Sequence, residues 1–307
     1  MNTRNLRFHS NRVRDIITLF HEELDGLYGS GEVGAFLDML FEALLGWDKV
    51  RLLTSKEQTI DQSDLLRFHW ALEDLHKYRP IQHIIGYTDF CGCRIEVSPD
   101  VLIPRPETEE IVEWIVGHTP QSALCADCSP NLGEQPDSVL DLCSGSGCIA
   151  IALKKAFPKA DVTAVDISSA AIEIARRNAE NNGADIHFVQ ADILDPAFHL
   201  SPSSFHLIVS NPPYVMEKER AEMQRNVLDY DPALALFVPD DDPLRFYHAI
   251  GIIAQKHLDK EGLLAVEINE TLPEETCALM REQGFIPTIH NDFRGKPRWI
   301  SAKKKLS

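Results

Sequence analysis

The residues best suited to chemistry form the tetrapeptide Asn211-Pro212-Pro213-Tyr214, which directly follows an apolar run. A nitrogen conjugated to a carbonyl or an aromatic ring is a poor nucleophile, because its lone pair is delocalised. The Asn211 side-chain oxygen and the Pro212 carbonyl can each accept one N–H of such a nitrogen. Tyr214 offers an aromatic face on which a flat amide or base can stack. The tetrapeptide therefore indicates methyl transfer to a planar nitrogen, catalysed by positioning and electrostatics.

A second group of residues could hold the methyl donor. Such a site is needed as support, because the tetrapeptide alone could also be a strand that ends in a proline-rich turn. Residues 139–143 predict a buried strand, residues 148–156 predict a helix, and the sequence Ser-Gly-Ser-Gly at 144–147 separates them. Glycines let the backbone approach a ligand at the carboxyl end of a strand. The segment is neither a G-x-G-x-x-G nor a Walker loop, which disfavours a phosphate-binding site.

Acidic residues follow the next two predicted strands. Asp166 ends the segment 161–165 and can accept hydrogen bonds from both hydroxyls of a ribose, which favours a donor without phosphates. Asp192 and Ile193 follow the segment 186–190, where they can bracket an adenine by a polar edge and an apolar face. S-adenosyl-L-methionine fits this combination better than NAD does. A helix N-cap or a solvated loop is the alternative interpretation of each aspartate.

Taken together, these motifs resemble the HemK family of protein glutamine-N5 methyltransferases, and within it the release-factor (PrmC-type) branch. The resemblance covers nearly the whole chain and implies methylation of the glutamine in the Gly-Gly-Gln loop of peptide chain release factors, with S-adenosyl-L-homocysteine as the second product. The motifs that carry it are Asp141-Leu142-Cys143-Ser144-Gly145-Ser146-Gly147, Asp166, Asn211-Pro212-Pro213-Tyr214 and Ile103-Pro104-Arg105-Pro106-Glu107-Thr108-Glu109.

The resemblance also implies roles for individual residues. The implied donor contacts are Cys143, Ser144, Gly145, Ser146, Gly147, Asp166, Asp192, Ile193 and Asn211. The implied substrate contacts are Asn211, Pro212, Pro213, Tyr214 and Phe90, with Asn211, Pro212 and Tyr214 as the catalytic residues and Arg105, Glu107 and Thr108 around the site. Helix capping is the alternative for Glu107 and Thr108. Glu267, at the end of a predicted strand, either lies behind the site or is solvated.

The sequence departs from the family pattern in two places. Cys143 stands where glycine is usual, which bears on the exact donor contacts rather than on the activity. The connection over residues 118–137 is longer than the usual one. Cysteine is small enough to leave the turn feasible, so the activity that the resemblance implies is unaffected.

The implied fold is α/β: a Rossmann-like class I S-adenosylmethionine-dependent methyltransferase with a seven-strand sheet, a small N-terminal helical-bundle domain and a connecting β-hairpin. Residues 1–80 contain helical patterns at 13–27, 33–45 and 63–78 and form the expected substrate-docking domain, although a bundle that only stabilises the chain is the alternative. Residues 81–104 are the expected hairpin linker, with strands at 84–90 and 94–97. Residues 105–307 form the expected methyltransferase domain.

Composition favours a protein substrate over duplex DNA. The chain has 30 Lys and Arg residues against 47 Asp and Glu residues, a net charge of −17, whereas DNA-binding proteins usually present a basic face. Seven cysteines without a secretory leader are read as reduced thiols in a cytoplasmic protein. The pairs Cys91-x-Cys93 and Cys125-x-x-Cys128 are too incomplete to predict zinc, so no metal is expected. We also expect no membrane association, no stable nucleic-acid binding and a monomer.

Three other functions remain open at this point. The first is a glutamine methyltransferase that modifies a ribosomal protein. Only the match at residues 103–109 favours the release-factor branch over it. An adenine-N6 methyltransferase of DNA or RNA would use a similar tetrapeptide, but only 93 residues (307 minus 214) follow Tyr214, which leaves no room for a downstream recognition domain. A silent S-adenosylmethionine-binding protein associated with translation would not need the intact tetrapeptide.

Overall fold

The computed structural model describes residues 10–118, 135–200 and 204–305 of the 307-residue chain. These residues divide into two compact units. The helical unit comprises the chain up to Gly86 together with Gln224–Tyr230, and the sheet unit comprises Tyr87–Met223 and the chain from Asp231 onward. A segment from the second half of the chain is therefore part of the amino-terminal unit.

Amphipathic helices build the helical unit. In the first helix, Val13, Ile16, Phe20 and Leu24 recur at helical spacing and are buried, so one face of the helix packs into a core. The three helical patterns predicted from the sequence correspond to the three longest helices of this unit. The helices are α1 (Val13–Tyr28), α2 (Ser30–Leu45), α3 (Lys49–Thr54), α4 (Gln62–His76) and α5 (Ile81–Ile85).

The connecting hairpin is shorter than predicted. Its antiparallel strands are β1 (Tyr87–Phe90) and β2 (Cys93–Glu96), whereas the sequence suggested that the first strand begins at residue 84. Residues 84 and 85 instead belong to α5, which starts after Pro80 and ends where Gly86 adopts a left-handed φ of 88°. Proline before a first turn and glycine after a last turn favour a helix, and here they override the strand-like alternation.

Seven strands form the main sheet, in the order β10-β11-β9-β6-β3-β4-β5. Strands β3, β4, β5, β6 and β9 run parallel. At the β9 edge, β11 pairs antiparallel with β9, and β10 pairs antiparallel with β11, so β11 alone runs opposite to the other strands of this sheet. The predicted Rossmann-like fold class is confirmed by this sheet. Its strands are β3 (Ser138–Leu142), β4 (Asp161–Asp166), β5 (His187–Gln190), β6 (Phe205–Ser210), β9 (Leu258–Glu267), β10 (Phe285–Asn291) and β11 (Pro297–Lys304), and a separate parallel pair joins β7 (Val215–Met216) to β8 (Phe237–Val238).

Helices cover both faces of this sheet and enclose two apolar clusters with it. The central strands are almost uniformly buried, as expected of parallel strands that are covered on both sides. None of the described helices is long and apolar enough to span a membrane. The remaining helices are α6 (Pro106–Gly117), α7 (Cys148–Ala156), α8 (Ser169–Asn182), α9 (Arg225–Leu228, in the helical unit), α10 (Ala233–Leu236), α11 (Arg245–His257) and α12 (Pro273–Glu282).

Strand order locates the expected binding site. From the interior strand β3 the chain moves outward to β4 and β5, and then returns to the other side of β3 with β6. In open α/β sheets, the reversal of strand order opens a crevice at the carboxyl ends of the strands, and ligands bind there. The glycine-containing turn follows β3 and the tetrapeptide follows β6, so the topology brings both motifs to this crevice.

Candidate active site

The turn after β3 has a conformation that L-residues adopt rarely. Cys143 has a left-handed φ of 61°, which costs an L-residue about 1–2 kcal/mol, so this residue strains the position where the family usually has glycine. Gly147 has a φ of 78°, and a Cβ added there would lie 3.0 Å from the Cβ of Ala175 in α8. Glycine at 147 therefore permits both the turn and the close packing of α8 against the start of α7.

Asp166 ties the glycine turn to the end of β4. Its Oδ2 accepts a hydrogen bond from the Gly145 amide at 2.8 Å, and its Oδ1 accepts one from the Ser168 amide at 2.9 Å. Burial raises the pKa of Asp166, and these backbone hydrogen bonds oppose the rise. A carboxylate has about four acceptor positions, so Asp166 retains acceptor capacity for the hydroxyls of a ligand.

Asp192 and Ile193 follow β5 and line the same cavity as Asp166. The Asp192 carboxylate accepts a hydrogen bond from the Leu194 amide at 2.8 Å, which fixes the local turn. Ile193 is buried and packs with the apolar cluster on that side of the sheet. The pair thus presents a polar group and an apolar surface side by side, and their proposed contact with an adenine stays a prediction.

A buried hydrogen-bond network orients the Asn211 amide. Asn211 Nδ2 donates to Thr108 Oγ1 at 3.2 Å, and Thr108 Oγ1 in turn donates to Glu267 Oε2 at 2.7 Å. The Tyr214 hydroxyl donates to the other carboxylate oxygen of Glu267 at 2.9 Å. Because Nδ2 is held by Thr108, the Asn211 Oδ1 atom is the part of the amide left to accept hydrogen bonds from a ligand.

Glu267 is the centre of this network. It is only 2 % exposed, so the interpretation of this residue as a solvated strand end is wrong. Burial raises the pKa of Glu267, while the hydrogen bonds from Thr108 and Tyr214 oppose that rise. Burial, together with the neighbouring Glu267 carboxylate, raises the pKa of Tyr214 well above its ordinary value. Tyr214 therefore stays a neutral phenol with its hydroxyl engaged, and its partly buried side chain packs against the apolar cluster on that side of the sheet.

Arg105 and Asp231 form a second buried link beside the cavity. The Arg105 guanidinium donates to Asp231 Oδ2, and the Asp231 side chain is 1 % exposed. Burial raises the pKa of Asp231, and the charge of Arg105 opposes the rise. The pair joins the segment before α6 to the segment before α10. The sequence indicates that the segment from Asp231 to Leu236 lies beside the site, but it does not predict the pairing of Asp231 with Arg105, because no motif connects residues that are 126 positions apart.

A cavity of about 460 Å³ lies at the crevice, which is within the range of small-molecule sites. It brings most of the predicted site residues together. Sequence reasoning missed Arg245 and Phe246, at the start of α11, which also line the cavity, and no spacing signal in the chain singles them out. The predicted residues that line it are Arg105, Thr108, Cys143, Ser144, Gly145, Ser146, Asp166, Asp192, Ile193, Asn211 and Pro213.

Five predicted residues lie outside the cavity lining. Gly147 and Pro212 are neighbours in sequence of lining residues, and the Tyr214 hydroxyl donates to Glu267. Glu107 is the neighbour of Thr108 on α6, and its carboxylate lies 4.0 Å from a guanidinium nitrogen of Arg294 rather than in the cavity. Phe90 is 1 % exposed in the apolar cluster around the hairpin and α6, and this placement does not support a role in a glutamine channel.

Of the two cysteine pairs noted in the sequence, the structure describes only Cys91 and Cys93. Cys91 and Cys93 are free thiols in the sheet unit, and within the described ranges no group of His, Cys, Asp and Glu residues is arranged to hold a metal ion. Cys125 and Cys128, and most of the long connection at 118–137, lie outside the described residues.

Comparisons with known proteins agree with this architecture. A family model described as "Methyltransferase small domain" matches residues 122–230, and one described as "PrmC N-terminal domain" matches residues 27–86. Among solved structures, the catalytic domain of hMettl16 in complex with a MAT2A 3′UTR hairpin aligns with a TM-score of 0.52 over 83 % of this chain and 85 % of that one. At 16 % identity, this likeness concerns the fold alone.

Curated relatives are similar over almost their whole length. A release factor glutamine methyltransferase of Flavobacterium psychrophilum is 39 % identical over 94 % of this chain and 98 % of its own. One of Bacteroides thetaiotaomicron is 37 % identical over 94 % and 99 %. Identity at this level, over nearly full length, shows common descent and a common fold. The chain therefore belongs to the release factor glutamine methyltransferase family.

Proposed function

We propose that this chain transfers the methyl group of S-adenosyl-L-methionine to the side-chain nitrogen, N5, of the glutamine in the Gly-Gly-Gln loop of peptide chain release factors. The observation that carries the proposal is the Asn211 amide, fixed by Thr108 and Glu267 at the edge of the cavity, with its oxygen left as an acceptor. The names of the relatives support the release factor as the protein that carries the glutamine.

The cavity suits the donor in size and polarity. Asp166 can accept the ribose hydroxyls, and Asp192 with Ile193 can contact the adenine. The Ser144 hydroxyl is buried beside the cavity and has no hydrogen-bond partner among the described residues, so a polar ligand group would satisfy it. We assign the methionine part of the donor to the turn formed by Cys143, Ser144, Gly145, Ser146 and Gly147. Bound S-adenosyl-L-methionine supplies a methyl group already activated on a sulfonium.

Asn211 and its neighbours would prepare the acceptor nitrogen. Asn211 Oδ1 accepts one N–H of the glutamine amide, and the Pro212 carbonyl accepts the other. Both hydrogen bonds draw the N–H groups to one side, so the nitrogen lone pair faces the methyl carbon. The Tyr214 ring flanks the flat amide, while its hydroxyl remains bound to Glu267. Fixed groups aimed in this way need no reorganisation during the reaction, which is the main source of electrostatic catalysis in enzymes.

The transfer balances without a cofactor other than the donor. The nitrogen lone pair forms the new N–C bond, the C–S bonding electrons stay on sulfur, and S-adenosyl-L-homocysteine leaves. The nitrogen then releases one proton to water, because an N-alkylated, protonated amide is strongly acidic. Neither Asn211 nor Pro212 can take up a proton, and Tyr214 is a neutral phenol, so positioning is the catalytic contribution of these residues.

The helical unit is the proposed docking domain for the protein substrate. Leu66 and Trp70 lie one turn apart on α4 and are exposed, while the opposite face of this helix packs into the core. Tryptophan is one of the residues that most often anchor protein partners, and Leu66 extends the apolar surface beside Trp70. We also propose that the enzyme acts as a cytoplasmic monomer. We further propose that it forms no stable complex with nucleic acid, because its net charge of −17 would repel the phosphate backbone.

One experiment tests the substrate. The full chain is incubated with methyl-labelled S-adenosyl-L-methionine and, in parallel, with a release factor, with ribosomal subunits and with unmethylated DNA. We expect label in the release factor at the glutamine of its Gly-Gly-Gln loop. A release factor in which that glutamine is replaced by asparagine serves as the matched control and should stay unlabelled.

Each other outcome favours a different function. Label in a ribosomal protein alone would transfer the assignment to the ribosomal branch of the family. Label in DNA alone would contradict the glutamine assignment and favour the adenine-N6 alternative. Binding of the donor without transfer to any acceptor would favour a silent binding protein.

A further inference from the structure

The loop between β10 and β11, residues 292–296, forms a rigid tip. The fully buried carboxylate of Asp292 accepts hydrogen bonds from the backbone amides of Arg294 at 2.9 Å and Lys296 at 3.0 Å. Two nitrogens of Arg298 donate to the same carboxylate at 3.2 and 3.0 Å. The Asp292 amide also donates to the Lys296 carbonyl at 2.8 Å. The conformation of this hairpin tip is thus fixed by one buried side chain.

Phe293 stands on the hairpin tip and is 68 % exposed. The Arg294 guanidinium lies 5.0 Å from the centroid of its ring, a distance at which the cation and the ring face attract each other. Exposed apolar residues are common, and exposure alone means little. An aromatic ring on a locked turn differs, because the entropy lost on binding a partner is small when the anchor is already ordered.

The hairpin tip is joined to the helix that orients Asn211. The Phe293 amide donates to Glu110 Oε1 at 3.3 Å, and Arg294 lies 4.0 Å from Glu107. Both glutamates flank Thr108 on α6, and Thr108 accepts the hydrogen bond of the Asn211 amide. The residues that the tip contacts therefore lie within about one helical turn of Thr108, which positions the Asn211 amide.

A second connection leads from the hairpin to the same network. Arg298, which holds the Asp292 carboxylate, also donates to Glu270 Oε2 at 3.4 Å. Lys296 donates to the other oxygen of Glu270 at 2.8 Å. Glu270 comes three residues after Glu267, the centre of the Asn211 network. Two independent sets of contacts thus fix the position of Phe293 relative to Asn211, the proposed contact of the substrate glutamine.

We propose that Phe293 is a docking residue for the protein substrate and packs against the polypeptide next to the target glutamine. This inference rests on the proposed function. Its continuity with the Asn211 network favours the protein substrate over a second copy of this chain. A glycine-rich segment suits the contact, because a backbone without Cβ atoms can lie flat against an aromatic ring.

The test compares Phe293→Ala with Ile286→Ala. Ile286 lies on β10 of the same hairpin and is 59 % exposed, so its substitution removes a comparable exposed apolar group away from the tip. With full-length release factor as the varied substrate, we expect Phe293→Ala to raise KM about tenfold, the effect typical of a moderate interface anchor. kcat, donor affinity and Tm should stay at wild-type values, and Ile286→Ala should match the wild type throughout.

Other results would overturn the inference. An unchanged KM for Phe293→Ala, in a wild type that methylates release factor, would remove the docking role while leaving the proposed function intact. A lower kcat at unchanged KM would also contradict docking. A wild-type dimer that becomes a monomer in Phe293→Ala would instead assign the tip to self-association. Failure of the wild type itself to methylate release factor would refute the proposed function, and this inference with it.

Discussion

At the scale of single residues, the site depends on side chains that never touch the reacting atoms. Thr108 and Glu267 fix which end of the Asn211 amide is free to accept a hydrogen bond. An amide that could rotate by half a turn would present N–H groups to the substrate nitrogen, and its lone pair would not be oriented. The hydroxyl of Thr108 is therefore a positioning group for the proposed reaction.

Replacing Thr108 tests this positioning role. Thr108→Val keeps the shape of the side chain but removes the hydroxyl, so the Asn211 amide loses its orientation. We expect kcat to fall by about tenfold to a hundredfold, as for other small misplacements near reacting groups. Donor affinity should change little. Thr108→Ser restores the hydroxyl and should recover most of the activity, and equal losses in the serine and valine variants would contradict the role assigned to the hydroxyl.

Asp141 makes a pH-dependent contribution to stability. Burial within β3 raises its pKa to about 8, while the Ala150 amide, which donates to Oδ2 at 3.2 Å, opposes the rise. An aspartate in the unfolded chain has a pKa of about 4. Between these two values the unfolded state releases the proton while the folded state retains it, so a rise in pH favours unfolding.

Asp141→Asn removes this titration. We expect the Tm of the wild type, minus that of Asp141→Asn, to become steadily more negative from about pH 5 to about pH 8. Any constant effect of the amide on packing cancels in this comparison. A difference in Tm that does not vary with pH would show that the Asp141 carboxyl does not titrate differently in the folded chain.

At the scale of elements, the turn from β3 to α7 is fixed by packing as well as by backbone conformation. Gly147 and Gly183 both have left-handed φ values, of 78° and 63°. A Cβ at position 183 would meet open space, whereas one at position 147 would lie 3.0 Å from Ala175. The two glycines thus separate the effect of backbone conformation from the effect of contact with α8.

Alanine at each position measures the two effects. Gly183→Ala should lower the free energy of unfolding by about 1–2 kcal/mol, the cost of a left-handed L-residue. Gly147→Ala should lower it by about 1–3 kcal/mol more, because α7 and α8 must move apart. Denaturant unfolding gives both values. Equal free energies of unfolding in the two variants would show that the close approach of α7 and α8 does not limit the residue at position 147.

Sequence analysis predicted the local parts of the site and missed the distant ones. The glycine turn and the tetrapeptide directly follow strands, and Asp166 is the last residue of one, so the strand-and-turn pattern was enough to locate them in the fold. The contact of Thr108 with Glu267 joins positions 159 apart, and only the packed sheet brings them together. The role of Phe90 was implied by the family resemblance alone, and its burial in the apolar cluster around the hairpin gives that role no support.

At the scale of the whole molecule, the two units have separate proposed tasks, donor chemistry in one and substrate docking in the other. Trp70 on α4 is 56 % exposed, and Leu66 lies one turn before it. We expect the double variant Leu66→Ser and Trp70→Ser to raise KM for full-length release factor about tenfold and to leave kcat unchanged. Ile252→Ser, at an exposed apolar position on α11, is the matched control. Equal KM values in both variants would argue that α4 does not dock the substrate.

The helical unit is discontinuous in sequence, which affects how it forms during synthesis. Tyr230 donates to the Lys77 carbonyl at 3.0 Å, and the Arg225 guanidinium lies 4.7 Å from the Tyr78 ring. These contacts need a segment that leaves the ribosome only after most of the sheet unit has been made. The amino-terminal helices are synthesised first, but residues 224–230, which complete their unit, are synthesised much later. The nascent chain therefore completes the helical unit only when much of the sheet unit has been made.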